Sequence, residues 1–190
     1  MVKSLLFIVF GLFSFASFGQ DSIKTVKKKK WEIYFDSLTA AKVGKPFIKD
    51  SILKTIENET IFISNLKQKT MVCFGMYGCH PCAHELPAIV SLASKTNDVD
   101  FIYITFNDEK TIRKEFEEVL GKNYVFPSNY HIVIMKESEM KNNDVHLGYP
   151  TKYYLDKNGI VLYFQYGKVS LKSTKEELFS QNLGIINKFK

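Results

Sequence analysis

A short apolar strand pattern followed by two closely spaced cysteines constrains this chain more than any other feature. Residues 70–74 form a nearly continuous apolar run, which is typical of a central strand covered on both faces. The motif Cys79-His80-Pro81-Cys82 comes soon after it, and apolar residues at helical spacing continue beyond the motif. This order predicts a cysteine pair at the N-terminus of a helix that leaves a buried strand.

Two cysteines separated by two residues at such a position are typical of a redox dithiol. Unpaired backbone N–H groups and the helix dipole favour a thiolate at Cys79. Pro81 suits the first helical turn, because its missing N–H removes no hydrogen bond there. Cys82 can then resolve a mixed disulfide made by Cys79. The pattern therefore predicts thiol–disulfide exchange, with Cys79 as the nucleophile and Cys82 as the resolving thiol.

Residues 1–19 are typical of a secretory signal peptide. A lysine precedes an apolar run over residues 5–18, and small residues follow it. The run is short for a membrane span, so we predict cleavage near Gly19/Gln20, or a membrane anchor if the segment is retained. No later segment is long enough to span a bilayer. Export to the periplasm would place the cysteine pair in an oxidising compartment.

Residue usage argues against nucleic acid as a partner, although the chain is basic. The formal net charge is +6, but Arg113 is the one arginine against twenty-five lysines. Phosphate and base recognition favours the arginine fork, and no nucleic-acid-binding motif is present.

The remaining pattern predicts one α/β domain over residues 43–190, with a mixed sheet. Residues 20–42 are expected to be an N-terminal tail or linker. Apolar runs on both sides of residues 57–59 predict a β-hairpin before the strand at residues 70–74, which leads to the cysteine pair. Residues 156–159 predict a second hairpin near the C-terminus. The predicted strands cover residues 52–56, 61–63, 70–74, 99–106, 130–135, 151–155 and 160–165, and the predicted helices cover 79–94, 108–120 and 172–189.

Two segments of this domain resemble the exported TlpA/ResA group of thiol-disulfide oxidoreductases in the thioredoxin-like superfamily. The first is Cys-x-Pro-Cys followed by Glu85 and Pro87, and the second is Gly-Tyr-Pro-Thr at residues 148–151. The resemblance covers residues 43–190. It implies a thioredoxin-like fold, with a central mixed β-sheet flanked by helices and an N-terminal β-hairpin extension.

The same resemblance implies a role for the second segment. In that family this proline is cis and faces the dithiol, and a cis turn exposes the preceding backbone to an incoming peptide. The residues expected to bind substrate are therefore His80, Pro81, Tyr149, Pro150 and Thr151.

Three positions depart from the family pattern. Gly78 stands where thioredoxins commonly carry Trp, which removes an aromatic wall. Cys73, which we expect to be buried and inert, stands where thioredoxin has a buried acid. Glu85, one helical turn after the second cysteine, then becomes the candidate proton acceptor, the alternative being an ordinary surface carboxylate. His80 favours the thiolate and a more oxidising disulfide, whereas the exported relatives mostly act as reductants.

We therefore predict an exported enzyme that exchanges disulfides with proteins. Its direction is expected to be reduction, as the family resemblance implies. No cofactor is expected beyond the disulfide of Cys79 and Cys82. The expected partners are proteins that contain cysteines, with apocytochrome c suggested by resemblance, and a thiol–disulfide electron donor at the membrane. We expect a monomer.

The sequence alone is also compatible with other functions. A non-catalytic thioredoxin-like module could bind unfolded or apo-proteins, and a thiol peroxidase could use the same fold. A zinc site needs four ligands, but the chain has no second CxxC, so we expect no metal. Covalent haem attachment requires a histidine where Ala83 stands.

Overall fold

The strand and helix order follows the pattern of the sequence. The computed structural model describes residues 29–48, 52–145, 148–167 and 169–189. The signal segment and its cleavage point lie outside these ranges. The strands are β1 (Ile52–Lys54), β2 (Thr60–Phe62), β3 (Lys69–Phe74), β4 (Val99–Thr105), β5 (Tyr130–Ile134), β6 (Thr151–Leu155) and β7 (Val161–Tyr166), and the helices are α1 (Lys30–Lys42), α2 (His80–Ala93), α3 (Glu109–Leu120), α4 (Glu137–Asn142) and α5 (Lys175–Lys188).

Five strands form a mixed central sheet in the order β5-β4-β3-β6-β7. The strand β3 pairs in parallel with β4, which pairs in parallel with β5. The strands β6 and β7 complete the sheet in antiparallel orientation. The predicted mixed sheet and the C-terminal hairpin are therefore confirmed. The strand β3 lies at the centre of the sheet, where both of its faces are covered, and this position accounts for its continuous apolar run.

The two faces of the sheet bury separate apolar clusters, because alternate strand residues point to opposite sides. The first cluster includes Met71, Phe101 and Tyr154 with residues of α2, α3 and α5. The second includes Val72 and Tyr153 with the hairpin, the segment after α1, and α4. The end of β3 is thus enclosed on both sides, which fixes where the next loop begins.

The predicted hairpin exists but does not add strands to the central sheet. The strands β1 and β2 form their own two-stranded antiparallel sheet. A single bridge between Thr55 and Val133 joins the hairpin to β5, together with a hydrogen bond of 2.9 Å from Ile56 N–H to the Ile132 carbonyl. The extension is therefore attached at the edge strand rather than paired along it.

The last part of the predicted tail or linker over residues 20–42 is helical and forms α1. The helix α1 packs against β7, where the Phe35 and Tyr166 rings lie 5.4 Å apart, and Leu38 packs against the second cluster. Its apolar residues lack a clear helical period, so the sequence pattern does not predict this helix. Among the described residues, no helix has the length and apolar content needed to cross a bilayer.

Candidate active site

The cysteine pair lies at the N-terminus of α2, as the sequence predicts. Cys79 and Cys82 form a disulfide with their Cα atoms 5.2 Å apart. Cys79 is the N-cap, and its Sγ accepts a hydrogen bond of 3.3 Å from Cys82 N–H. Gly78 adopts a φ of +80°, a conformation that favours glycine, and this turn brings the chain from β3 into the helix. Backbone N–H groups at the helix start are therefore available to stabilise a thiolate at Cys79.

The two sulfur atoms differ in accessibility. Cys79 is half-buried, His80 beside it is exposed, and Cys82 is only 6% exposed. An incoming disulfide can thus reach Cys79 more readily than Cys82. This arrangement suits a nucleophile and a resolving thiol in the order that the sequence predicts.

Residues 148–151, the second segment that resembles the TlpA/ResA group, lie close to the cysteine pair in the structure. The Tyr149–Pro150 peptide bond is cis, as predicted. Thr151 pairs with Phe74 across β6 and β3, so the proline precedes a strand that begins where β3 ends. Pro150 and Cys82 line the same cavity. The sheet therefore joins two segments separated by about seventy residues of sequence, since β6 is a direct neighbour of β3.

Tyr149 is held beside this turn. Its ring lies 6.1 Å from that of Phe106, and its hydroxyl donates to Met140 Sδ at 3.9 Å. Burial, followed by the nearby Glu137 carboxylate, raises the pKa of Tyr149 to about 12. The side chain therefore stays neutral at physiological pH, and its backbone stands next to the cis proline.

Glu85 is buried rather than a surface carboxylate. Its side chain lies on the same helix as Cys82 and is 4% exposed as a residue. Lys152 Nζ lies 2.5 Å from Glu85 Oε1, and Asn182 Nδ2 donates to the same oxygen at 2.9 Å. Glu85 therefore has the burial that a proton-transfer role requires.

Sequence reasoning missed Lys152 and Asn182, although each left a signal. Lys152 interrupts an apolar strand pattern and pairs with Cys73 across β6 and β3. Asn182 lies four residues from both Leu178 and Ile186, on the buried face of α5. A polar residue at an apolar position of a helix or strand indicates a buried partner, because an unpaired polar group would be costly there.

Cys73 is buried and free of disulfide bonding, as predicted. Burial raises its pKa to about 12, with a further increase from Glu85 and a partly opposing effect of Lys152. Cys73 is therefore a neutral thiol at physiological pH. Because the thiolate is the nucleophile, Cys73 does not compete with Cys79.

Tyr77, an exposed aromatic residue, lies next to Gly78, the position where thioredoxins commonly carry Trp. Tyr77 is 37% exposed, and its backbone N–H donates to Asn107 Oδ1 at 2.8 Å. The ammonium group of Lys114 lies 5.8 Å from the centre of the Tyr77 ring. Tyr77 therefore provides an aromatic surface two residues before Cys79, which a comparison of Gly78 alone overlooks.

Glu115 of α3 is a second buried acid next to the active-site loop. The residue is 4% exposed and accepts a hydrogen bond from the backbone of Gly78. Its Oε2 atom is buried without a hydrogen-bond partner within the described ranges. Burial raises the pKa of Glu115 to about 7, with a partly opposing effect of Gly78 and a further increase from Glu118.

Glu115→Gln is expected to remove a pH dependence from the stability of the protein. The pKa of Glu115 rises on folding from 4.5 to about 7, so the folded state retains a proton that the unfolded state releases in this interval. Wild-type stability therefore falls as the pH rises through it, by roughly 3 kcal/mol. Urea denaturation should show that the variant gains stability over wild type at about pH 8 but not at about pH 4.

The matched control for this measurement is Glu117→Gln, which removes an exposed carboxylate from the same helix. Its stability should follow the wild-type pH dependence. A constant offset between Glu115→Gln and wild type across the pH range would contradict the assignment to Glu115.

The histidines make contacts other than a metal cluster. His84 Nε2 lies 2.8 Å from the Ser173 carbonyl, and His131 Nδ1 lies 3.2 Å from Glu59 Oε2. Across the described ranges, no three histidine, cysteine or acidic side chains come together as metal ligands. His146 lies outside those ranges.

Two curated proteins are similar to this chain. Sporulation thiol-disulfide oxidoreductase A of Bacillus subtilis (strain 168) is 26% identical over 127 residues, which cover 66% of this chain and 75% of that protein. Thioredoxin-like protein YneN of the same organism is 24% identical over 131 residues, which cover 68% of this chain and 75% of that protein.

Solved structures show the same fold. The crystal structure of StoA from Bacillus subtilis superimposes with a TM-score of 0.53 at 22% identity, covering 73% of this chain and 98% of that chain. This similarity confirms the predicted thioredoxin-like fold. The model of the family described as Redoxin matches residues 42–180. Since this match spans most of the chain and includes the disulfide of Cys79 and Cys82, the protein belongs to the redoxin family and is a thiol-disulfide oxidoreductase.

Proposed function

We propose that this protein is exported and reduces disulfide bonds in other proteins. The observation that carries the proposal is the half-buried Cys79 joined to the buried Cys82 at a helix N-terminus, beside a cis proline. The Cys79 sulfur is accessible to a substrate disulfide, whereas the Cys82 sulfur is kept from solvent. This difference favours exchange with a protein over reaction of both thiols with small molecules. Export rests on the signal-like residues 1–19.

The proposed reaction begins with the reduced pair. The Cys79 thiolate attacks one sulfur of a substrate disulfide, and the other substrate sulfur leaves as a thiolate. Cys82 then loses its proton to Glu85 and attacks Cys79 Sγ, which releases the second substrate sulfur and forms the Cys79–Cys82 disulfide. The substrate gains two electrons, which the pair loses.

The substrate-binding surface is proposed to surround the accessible sulfur of Cys79. The backbone at Tyr149 and Thr151 flanks Pro150, and an extended substrate segment could pair with it as an added strand. His80 and Pro81 form the opposite edge, at the start of α2. The side chains at this surface then govern which proteins bind, whereas the dithiol governs the chemistry.

The proposed partners follow from this chemistry. Proteins with oxidised cysteines are the substrates, and apocytochrome c is one candidate through the family resemblance. A thiol–disulfide electron donor at the membrane must restore the dithiol after each cycle. No cofactor is needed beyond the cysteine pair, and we propose that the protein acts as a monomer.

Equilibrium titration against glutathione tests the direction of the reaction. A reductant should have a reduction potential near that of thioredoxin, about −270 mV, whereas an oxidant would lie near about −120 mV. The imidazole of His80 is exposed, which leaves its effect on Cys79 screened by solvent, so we expect a value nearer the first. A value near the second would overturn the proposed direction, and a pair without reversible exchange would overturn the function.

A further inference from the structure

A buried network of three polar side chains lies behind Cys82. It joins Glu85 of α2, Lys152 of β6 and Asn182 of α5, which are 4%, 5% and 0% exposed. Lys152 Nζ lies 2.5 Å from Glu85 Oε1 and donates to Asn182 Oδ1 at 2.9 Å. Asn182 Nδ2 donates to Glu85 Oε1 at 2.9 Å and to the Leu178 carbonyl at 2.8 Å. Two other elements, β6 and α5, thus converge on the carboxylate that α2 carries.

Lys152 and Asn182 contact the same oxygen of the Glu85 carboxylate. Both Lys152 and Asn182 use Oε1 of Glu85, so neither of them occupies the second carboxylate oxygen. A fixed Oε1 leaves Glu85 with a second oxygen that can accept a proton. Asn182 is itself held by the Leu178 carbonyl, which restricts the orientation of the amide.

A small cavity connects this network with the resolving cysteine. Its volume is about 20 Å³, and Cys82, Glu85, Lys152 and Pro150 contribute to its wall. This volume is enough for one water molecule. A proton can therefore pass between Cys82 and Glu85 within this cavity, directly or through a single water.

Other titratable groups also face Glu85 or this cavity. They are Cys73 of β3, Tyr163 of β7, Tyr103 of β4, Tyr130 of β5 and Lys152. Burial raises the pKa of Cys73 to about 12 and the pKa of each of the three tyrosines above its ordinary value. The cysteine and the tyrosines therefore stay protonated at neutral pH, which leaves Glu85 as the group able to take a proton from Cys82.

We propose that Lys152 and Asn182 are positioning residues that hold Glu85 as a carboxylate, ready to accept the proton of Cys82. The inference rests on the proposed function and deepens its second step. A carboxylate buried without a counter-charge favours its neutral form, and a neutral carboxylic acid cannot accept this proton in the same way. The ammonium group of Lys152 thus acts on the resolving step through Glu85.

The inference is tested by following both steps with oxidised glutathione as the probe. Attack by Cys79 releases one glutathione and leaves a glutathione adduct, and attack by Cys82 releases the second. Rapid acid quenching and mass spectrometry of the protein measure the adduct through time, at several pH values. In Lys152→Met we expect the first step to be unchanged and the second to be slower by roughly tenfold to a hundredfold at neutral pH. Raising the pH should restore the second step.

Two comparisons separate this effect from general damage. Lys152→Arg retains the positive charge and should keep the second step close to wild type. In a Glu85→Gln background, adding Lys152→Met should cause little further slowing, because both substitutions act through the same carboxylate. Lys152→Gln, a smaller change to a neutral polar side chain, serves as the test if the Met variant does not fold.

Each outcome has a distinct meaning. A neutral substitution at Lys152 that leaves the pH profile of the second step unchanged would overturn the inference and leave the proposed function intact. Equal slowing of both steps, or additive effects with Glu85→Gln, would also overturn it. A reduced wild-type protein that releases no glutathione from oxidised glutathione would overturn the proposed function, and the inference with it.

Discussion

Cys82→Ser is expected to convert the protein into a trap for its substrates. The accessible Cys79 still attacks a disulfide, but no second sulfur follows to release the product. Steady-state turnover should fall by roughly a thousandfold or more, because attack by a neighbouring thiol has a far higher effective concentration than attack by a thiol in solution. Non-reducing electrophoresis and mass spectrometry after incubation with an oxidised protein should show a stable mixed disulfide at Cys79.

Two variants control this result. Cys79→Ser should form no mixed disulfide, since Cys82 is only 6% exposed. Cys73→Ser should keep wild-type turnover, because Cys73 is a buried free thiol. Trapping through Cys82 in the Cys79→Ser variant would reverse the assigned roles. If the wild-type protein shows no disulfide exchange and the Cys79→Ser variant binds the oxidised protein as well as the wild type does, the non-catalytic module would be favoured instead.

Tyr153→Ala is expected to cause a large loss of stability, because the Tyr153 ring packs against several other rings in the second apolar cluster. Tyr153 is 1% exposed, and its ring centre lies 4.8 Å from that of Phe47 and 5.0 Å from that of Phe164. Removing the ring leaves a cavity between the sheet and the segment after α1. We expect the free energy of unfolding to fall by roughly 3–5 kcal/mol, measured by urea denaturation.

Tyr153→Phe is the matched control because it keeps the ring and removes the hydroxyl. That hydroxyl is buried and has no hydrogen-bond partner within the described ranges, so its removal should leave stability unchanged or slightly higher. A large loss in the Phe variant would show that the hydroxyl makes a stabilising contact, and a small loss in the Ala variant would show that the cluster can close around the gap.

The buried acid of this site lies on a different element from that of thioredoxin. Cys73 occupies the strand position where thioredoxin carries its acid, and Glu85 supplies a carboxylate from α2. Both residues border the same cavity. Under the proposed function, the proton acceptor thus comes from the helix that carries the cysteine pair and not from the strand before it.

Local patterns were sufficient for most of the fold. The helix α2 begins at His80, the helix α3 is capped by Asp108 and ends before Gly121, and the C-terminal hairpin forms where a turn sequence separates two apolar runs. Each of these features depends on residues close together in sequence, through capping, turn conformation or alternating burial. The segment that became α1 could not be assigned, because it is held by contacts with a strand more than one hundred residues later.

The sequence by itself determined the chemistry expected of this protein, because a cysteine pair after a buried strand and at a helix start is typical of a redox dithiol. Only the tertiary structure decided what surrounds that pair. Lys152 and Asn182 meet Glu85 because β6 lies beside β3 and α5 packs on α2, and Glu115 reaches the loop from α3. The physical reason is that the state of a buried charge depends on partners brought from distant parts of the chain, whereas a cap or a turn is encoded where it forms.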